Sequence, residues 1–556
     1  MNEGPTTLVQ EAQRALAAGR WSTAIESFRT LLERNEDADA LFGLGVALFW
    51  TGETVTALSN WERAYVAYRR RNDPFQAVVA AGYLCLAYRM SMGNDVAARG
   101  WLGRATRLVS DRGLADLNAW VLICRAHLAI DAGHPGAAEG WAREAYDLAH
   151  AAGDLDLELC ALGELGAAIV ELGRVDQGSA LLDEAMAGAL AGEGRNLDSV
   201  VLVSCRSITA CSRAGDLRRA TQWVRAADAF YRRYGSPHLY TTCRTQFGGI
   251  LFATGRWEAA ERELNAALRI GEAGEPALHA EALAKLAEMR VAQGRLEEAT
   301  RLLADYDDHP TTAYAIALIR QAQGQAAAAA AILRRRLREV DADSLEAAAL
   351  HELLVEVEIE LGARERAAKR ATELSGRGST ATAQAVSARG DRALGRILIA
   401  KSQTAQAVEH LERAAGTFVR IHMPIEAGRT KLLLAQALAA SEGEAAVAEA
   451  RAAFAVFDKV GAVREADAAA AVLRSLGTRA ARTGPRAIGN LTKREREVLA
   501  LLGEGLSNPE ISQRLFITRK TVEHHVANVL AKVGLSGRGE AAAYAVRHLQ
   551  QDSAPK

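Results

Sequence analysis

The sequence predicts an all-α protein in two parts: a long helical-repeat α-solenoid over residues 1–476, and a small four-helix domain over 491–556. Three observations predict it. One short phrase returns roughly every 40 residues through the first part, which is the mark of a stacked repeat. The last part carries explicit helix start and stop signals in quick succession. Charge also divides between the two: from Gly477 onward there are 13 Lys+Arg against 7 Asp+Glu, net +6, leaving 54 against 61, net −7, for the rest.

The repeated phrase is a glycine followed five positions later by alanine at the opening of a helix. It reads "GRWSTA" from Gly19, "GETVTA" from Gly52, "GNDVAA" from Gly93 and "GHPGAA" from Gly133. Further copies are "GDLRRA" from Gly215, "GRWEAA" from Gly255 and "GRLEEA" from Gly294, with looser ones at Gly173, Gly324, Gly362, Ser402 and Gly443. Each unit starts with an apolar helix such as "ADALFGLGVALFW", which ends near the glycine because glycine tolerates the left-handed cap. A second, amphipathic helix follows, with alanine where two helix axes come close. Neither helix has enough apolar surface to fold alone, so units stack. Trp101, Trp141 and Trp223 each stand eight residues after a repeat glycine, which favours packing between repeats over an aromatic ligand cage. Arg69–Arg71 and Arg334–Arg336 read as solvated helix faces, and the six alanines from Ala326 to Ala331 as helix.

Several function classes drop out. "MNEGPTTLVQEAQRAL" has no basic stretch leading into an apolar one, so no secretory signal is expected, and no run of about 18 apolar residues suggests a membrane span. A cytoplasmic location follows as an expectation. Cys85, Cys124, Cys160, Cys205, Cys211 and Cys243 form no CxxC pair and sit among apolar neighbours, so they read as buried small hydrophobes. No phosphate-cradling glycine loop, nucleophile elbow, HExxH or paired Cys/His spacing occurs. The carboxylates on the repeat helices read as solvated. No catalytic residue, cofactor or metal is expected.

Residues 477–490, "GTRAARTGPRAIGN", lack apolar periodicity and read as a linker whose Arg479, Arg482 and Arg486 are placed to touch phosphates. Then Thr492 with Glu495 forms a capping box, opening a helix through Val498, Leu499 and Leu502. Ser507 with Glu510 repeats the box ahead of Ile511 and Leu515, with Pro509 in the first turn. Thr518 caps a third helix ending at Gly534, and a fourth begins near Ser536 and carries Ala541, Tyr544, Ala545, Val546 and Leu549. Short helix, tight turn, longer helix is the plan of helix-turn-helix DNA binders.

Within the third helix, "TRKTVEHHVANVL" raises the question of a metal site. At 100° per residue Val522, Val526, Val529 and Val533 share one face, within about 60°. Lys520, Glu523, His524, Ala527 and Ala531 occupy the other, with His525 on the flank. The two histidines diverge by about 100° and have no cysteine nearby, so the outer face reads as a recognition surface rather than a metal site.

With these residues in place, the first part resembles tetratricopeptide-type repeats in a long form found in bacterial signalling regulators, the glycine-to-alanine spacing carrying the likeness. The last part resembles the LuxR-type, or GerE-type, helix-turn-helix domain of bacterial transcription regulators. The matching residues are Thr492, Arg494, Glu495, Glu497, Val498, Leu499, Gly505, Ser507, Asn508, Glu510 and Ile511, then Thr521, Val522, His525, Lys532, Gly534 and Arg538.

The resemblance implies a fold class of tetratricopeptide-like α-solenoid followed by a C-terminal four-helix LuxR-type domain, and a sequence-specific transcriptional regulator of double-stranded DNA. It further implies that the helix from Thr518 enters the major groove and that the last helix pairs two subunits into a homodimer, through its small apolar face of alanines and Tyr544. Glu523, His524 and Ala527 would face bases, while Ser507, Asn508, Thr518, Arg519, Lys520, Thr521 and Lys532 would hold the helix on the DNA backbone. Many relatives have lysine where Glu523 stands, so their half-site preference does not carry over. The repeats would sense a small-molecule ligand or dock a protein or peptide; the alternative is a scaffold recruiting proteins to DNA without an effector. No nucleotide-binding domain precedes the repeats, so control by ATP is not expected.

Overall fold

The computed structural model describes residues 5–270, 276–380, 384–478, 491, 493–533, 535 and 537–549, and among these every regular element is a helix. Two compact units are distinguished: residues 1–291 with 296–430, and residues 292–295 with 431–556.

Helices follow one another as pairs, each a leading helix, a tight turn and a trailing helix. In chain order they are Pro5–Ala17 and Trp21–Arg34, Ala38–Trp50 and Thr54–Arg70, Pro74–Met90 and Asp95–Arg112, Asn118–Ala132 and Pro135–Ala152. Next come Leu155–Glu171 and Val175–Ala191, Leu197–Ala214 and Leu217–Tyr234, Pro237–Ala253 and Trp257–Ile270, Pro276–Ala292 and Leu296–Leu302. Ala313–Ala322 and Ala326–Leu337, Leu345–Glu360 and Arg364–Thr380, and Gln384–Ala400 and Thr404–Arg420 complete the series up to Pro424–Leu438, Gly443–Val460 and Val463–Ser475.

The turn residue behaves as its chemistry requires. Gly19, Gly52, Gly93, Gly133, Gly173, Gly215, Gly255, Gly294, Gly324 and Gly362 all take positive φ, and Ser402 takes φ 60° in the same role. Gly443 does not: it is the first residue of its helix, after Glu442, because the preceding helix stops at Leu438 and the turn is made by the residues between. The expected alanines are sealed at ten copies, but Ala448, five after Gly443, is exposed, and Ala446 is sealed in that helix instead. Ala24, Ala57, Ala98, Ala138, Ala220, Ala260, Ala299, Ala329, Ala367 and Ala407 are all 0% exposed. At the looser copy the small residue is Gly178, where an added Cβ would lie 2.5 Å from the Gly166 carbonyl oxygen. There even a methyl group is too large.

In the first unit the coil of repeats returns upon itself. The Trp21 indole N–H donates to the Tyr234 carbonyl, and Trp50 Nε1 and Tyr83 OH donate to Asp198 at 2.6 and 2.7 Å. Asp341 receives the Gly136 N–H at 2.8 Å and gives its own N–H to the Gly133 carbonyl at 2.7 Å. Turn residues of one winding thus rest on helix starts of a later one. The tryptophans mostly serve as expected: Trp101 packs edge-on against Tyr65, and Trp223 donates to Asp183 at 2.9 Å, each in the neighbouring pair. Trp141 instead takes Arg125 of its own pair over its ring. All six cysteines are buried and free, and burial pushes the thiols of Cys205 and Cys211 up to about 12, which keeps them protonated.

The six-alanine run separates the packing constraint from helix propensity. Ala329 is sealed while its neighbour Ala328 is exposed on the same helix. Ala329→Leu is expected to lower unfolding stability by about 1–3 kcal/mol through overpacking, and Ala328→Leu to change it by less than about 0.5 kcal/mol. Urea titrations followed by circular dichroism check the pair.

Candidate functional site

The four C-terminal helices are Lys493–Gly503, Asn508–Leu515, Arg519–Val533 and Arg538–Leu549. Their core is Leu491, Val498, Leu499, Leu502, Ile511, Val522, Val526, Val529 and Val533 with Ala541, Tyr544 and Ala545, each 9% exposed or less. The second helix is fixed at its start by Glu510, whose carboxylate accepts the Ser507 N–H and hydroxyl, both at 2.6 Å. Those two bonds hold the Glu510 carboxyl below the usual carboxylate range. Phe516, in the left-handed region at φ 55° and 94% exposed, makes the turn into the third helix. Thr518 caps that helix, its hydroxyl accepting the Thr521 N–H at 3.1 Å.

The valine stripe faces inward, and Thr518, Arg519, Lys520, Glu523, His524 and Ala527 are exposed, with Thr521 half-buried. The structure brings Arg519 and Glu523 together: Nε donates to Oε1 at 3.1 Å across one helical turn. Ser507 engages Glu510, and Asn508 accepts a 2.6 Å bond from Arg538, which also bonds the Leu506 carbonyl. Arg538 thus clamps the start of the second helix to the fourth, a role its sequence position did not reveal. The His524 and His525 rings lie 6.4 Å apart at 54°, and His525 Nδ1 is buried without a partner. No group of three metal-ligating side chains occurs among the described residues.

One expectation is corrected. The alanine and tyrosine face of the last helix was expected to pair subunits, but Ala541, Tyr544 and Ala545 are spent on the domain's own core, packed chiefly against the first of the four helices. The outward residues there are Gly539, Glu540 and Ala543. Thr492, Gly534, Ser536 and residues 479–490 of the linker lie outside the described residues, as do the side chains of Lys532, Ala531 and Val546.

A second site was not legible beforehand. The leading helices of the first unit turn charged groups towards one another instead of into solvent. Glu164, 0% exposed, accepts from His127 Nδ1 at 2.7 Å and from Arg206 Nε at 3.0 Å. Arg206 also reaches Asp131 at 2.7 Å and the His127 carbonyl at 2.9 Å. Further along, Glu352 accepts from Arg389 and Arg392 at 2.6 and 2.7 Å, and Arg392 reaches Glu426 at 2.5 Å. Burial opposes ionisation of Asp131, Glu164, Glu352 and Glu426, but the facing cations hold all four carboxyls below their usual range. Arg336, expected on a solvated face, is 5% exposed and bonded to Glu346 at 2.6 Å. The signal was present as single charges inside apolar helices, Glu164 in "CALGELGAAIV" and Arg206 in "VLVSCRSITAC".

Beside these networks is a cavity of about 340 Å³, lined mainly by leading helices from Asn118–Ala132 to Pro424–Leu438. It shares Asp131, Arg213, Glu281 and Thr311 with a smaller one of about 140 Å³. The smaller one presents His238 Nδ1, Thr241 Oγ1, Thr245 Oγ1 and His309 Nε2 without partners among the described residues, and burial pushes the His238 imidazole down to about 4, so it is neutral.

Removing one partner from a buried network strands the rest. Arg206→Met leaves Glu164 with His127 alone and Asp131 with the longer contacts to Arg89 and His127, and is expected to cost about 3–5 kcal/mol at neutral pH. The depressed carboxyls contribute stability that is present above their unfolded values near 4 and lost as pH falls through their lower folded values. The wild-type chain should therefore lose stability progressively below about pH 4, and Arg206→Met should lose less over the same interval. Thermal melts from pH 7 to pH 3 check both.

Residues 489–545 match the family described as bacterial regulatory proteins, luxR family. Residues 119–312 match a MalT-like TPR region, and residues 9–77 a tetratricopeptide repeat. Among curated relatives, the transcriptional regulatory protein LnrK of Bacillus subtilis is 48% identical over 12% of this chain and 29% of its own length. Transcriptional regulatory protein LiaR of the same species is 52% identical over 11% of this chain and 28% of its own. DNA-binding transcriptional activator DevR/DosR of Mycobacterium tuberculosis is 42% identical over 14% and 35%. The matched region thus spans about a third of each of these relatives. The chain joins a LuxR-family helix-turn-helix domain to a body of tetratricopeptide-type repeats, of which residues 119–312 are MalT-like.

Proposed function

We propose that this protein is a cytoplasmic, non-enzymatic transcription regulator that reads double-stranded DNA with its C-terminal domain and receives a signal on its repeats. The observation that carries the first half is the split third helix: four valines buried on one face, and Lys520, Glu523, His524 and Ala527 exposed on the other, within a LuxR-family domain. An α-helix of that kind fits the major groove, where base edges carry distinct hydrogen-bonding patterns. Relatives of this domain bear the names of transcriptional regulators, which supports the same reading. No helix among the described residues is long and apolar enough to cross a membrane.

Roles follow from chemistry. Lys520, Arg519 and Lys532 neutralise phosphates, and Thr518, Thr521, Ser507 and Asn508 hold the helix ends to the backbone. Glu523, His524 and Ala527 face base edges. Glu523 is repelled by phosphates, and off DNA it is paired with Arg519. On DNA it accepts a hydrogen bond from the exocyclic amine of cytosine, or steers Arg519. Two subunits bind half-sites about one helical turn apart. The last helix pairs the two subunits.

For the body, a small-molecule effector is favoured over a docked peptide. Its charged leading-helix face is buried and internally paired, and the space left beside it is cavity-shaped. Docking of a protein on the outer helices is the second reading, in which the repeats act as a scaffold.

Binding-site selection at fixed salt tests the DNA assignment. Glu523→Ala should redistribute preference at one base pair by about 1–3 kcal/mol while barely changing non-specific affinity. Lys520→Ala should weaken all sequences alike and reduce the salt dependence by about one ion. An unchanged sequence profile for Glu523→Ala would show that it reads no base, and footprints covering a single half-site would exclude the dimer.

A further inference from the structure

The larger cavity contains charges that no hydrogen bond or ion pair engages among the described residues. Most ionisable groups on its wall are paired: Arg389 with Glu352, Glu426 with Arg392 and Arg429, Arg213 with Glu171. Three are not. Glu281, Lys285 and Glu288, on the Pro276–Ala292 helix, line the cavity half-buried, and no hydrogen bond or ion pair engages them among the described residues. They stand one helical turn apart in the order acid, base, acid, with Cβ atoms about 5–6 Å from one to the next. The Tyr314 hydroxyl on the same wall also has no hydrogen-bond partner among the described residues.

An unpaired, partly desolvated charge costs folding free energy, and three in a row along one wall break the rule that the rest of this interior obeys. Neighbouring Lys285, Arg429 and Arg389 do not offset the effect of burial on Glu288, whose carboxyl sits above its usual range. Such a wall is relieved by a ligand bearing the complementary pattern. The smaller cavity is a weaker guide, since water can satisfy its neutral histidine and threonine groups.

We propose that this cavity binds a small diamino-monocarboxylic acid, the class of lysine, ornithine and arginine. Its two cationic groups sit on Glu281 and Glu288, and its carboxylate on Lys285. The three unpaired side chains sum to one negative charge, and this ligand class carries one net positive charge. A neutral or acidic amino acid leaves at least one carboxylate bare, and a diamine leaves Lys285 bare. The assignment rests on the reading of the repeats as the signal-receiving part, and names the class of signal.

Isothermal titration of the full-length chain with lysine, ornithine, arginine, glutamate, leucine and cadaverine tests it. At least one basic amino acid should bind about tenfold or more tightly than glutamate, leucine and cadaverine. Glu288→Gln and Lys285→Met should each weaken that binding about tenfold or more, while unliganded Glu288→Gln melts no lower than wild type, because it removes a charge whose burial its neighbours do not offset. The assignment is overturned by absence of binding, by glutamate or cadaverine binding equally well, by unchanged affinity in both variants, or by an unliganded Glu288→Gln variant that is destabilised. A separate DNA titration with and without the bound amino acid keeps the two readings apart. Binding without any change in DNA affinity removes the sensing role and leaves the site.

Discussion

The body of this protein depends on one steric constraint: five residues after nearly every repeat turn, almost nothing larger than a methyl group fits. Of the twelve copies, ten have a fully buried alanine at that position, one has Gly178 because the Gly166 carbonyl oxygen is already there, and only the copy from Gly443 departs, with Ala448 exposed. Small residues let paired helices approach closely, and repeated close pairing fixes the rotation from one unit to the next. In the first unit that rotation brings later units back against earlier ones, so Asp198 closes on Trp50 and Tyr83, and Asp341 on Gly133 and Gly136.

Closure has an electrostatic consequence. Charges on the leading helices are removed from water and persist only where they meet opposite charges with good geometry. Arg206 and Arg392 satisfy this by each bonding two carboxylates. Glu281, Lys285 and Glu288 do not satisfy it, and the space beside them is where a ligand completes the pattern. The C-terminal domain follows the opposite rule. Among the described residues its buried side chains are apolar apart from Glu495, and Arg519, Lys520 and Glu523 face outward, as a surface that meets a polyanion requires.

Much of this was legible in the sequence because it is local. Glycine-to-alanine spacing reports a turn and a helix contact within six residues, so both the turn conformation and the sealed position could be read directly. The C-terminal helices were legible for the same reason: Ser507 with Glu510, Thr518 with Thr521 and the valine stripe all act within a turn or two. What was missed depends on contacts distant in sequence. Glu164 finds Arg206 and Asp341 finds Gly136 only because the coil returns, and no short-range pattern encodes that return. Tyr544 was misassigned because an apolar stripe on a terminal helix looks the same whether it faces its own core or a second subunit.

The central claim is that the body hides its charges while the third C-terminal helix presents its own to DNA. Hydrogen–deuterium exchange on the full-length chain, with and without a mixed-sequence duplex at low salt, tests this most directly. New protection is predicted for residues 507–510 and 518–527, with unchanged exchange across the repeat helices from 118 to 292. Protection of those repeat helices by DNA, with 507–527 unaffected, would contradict the account.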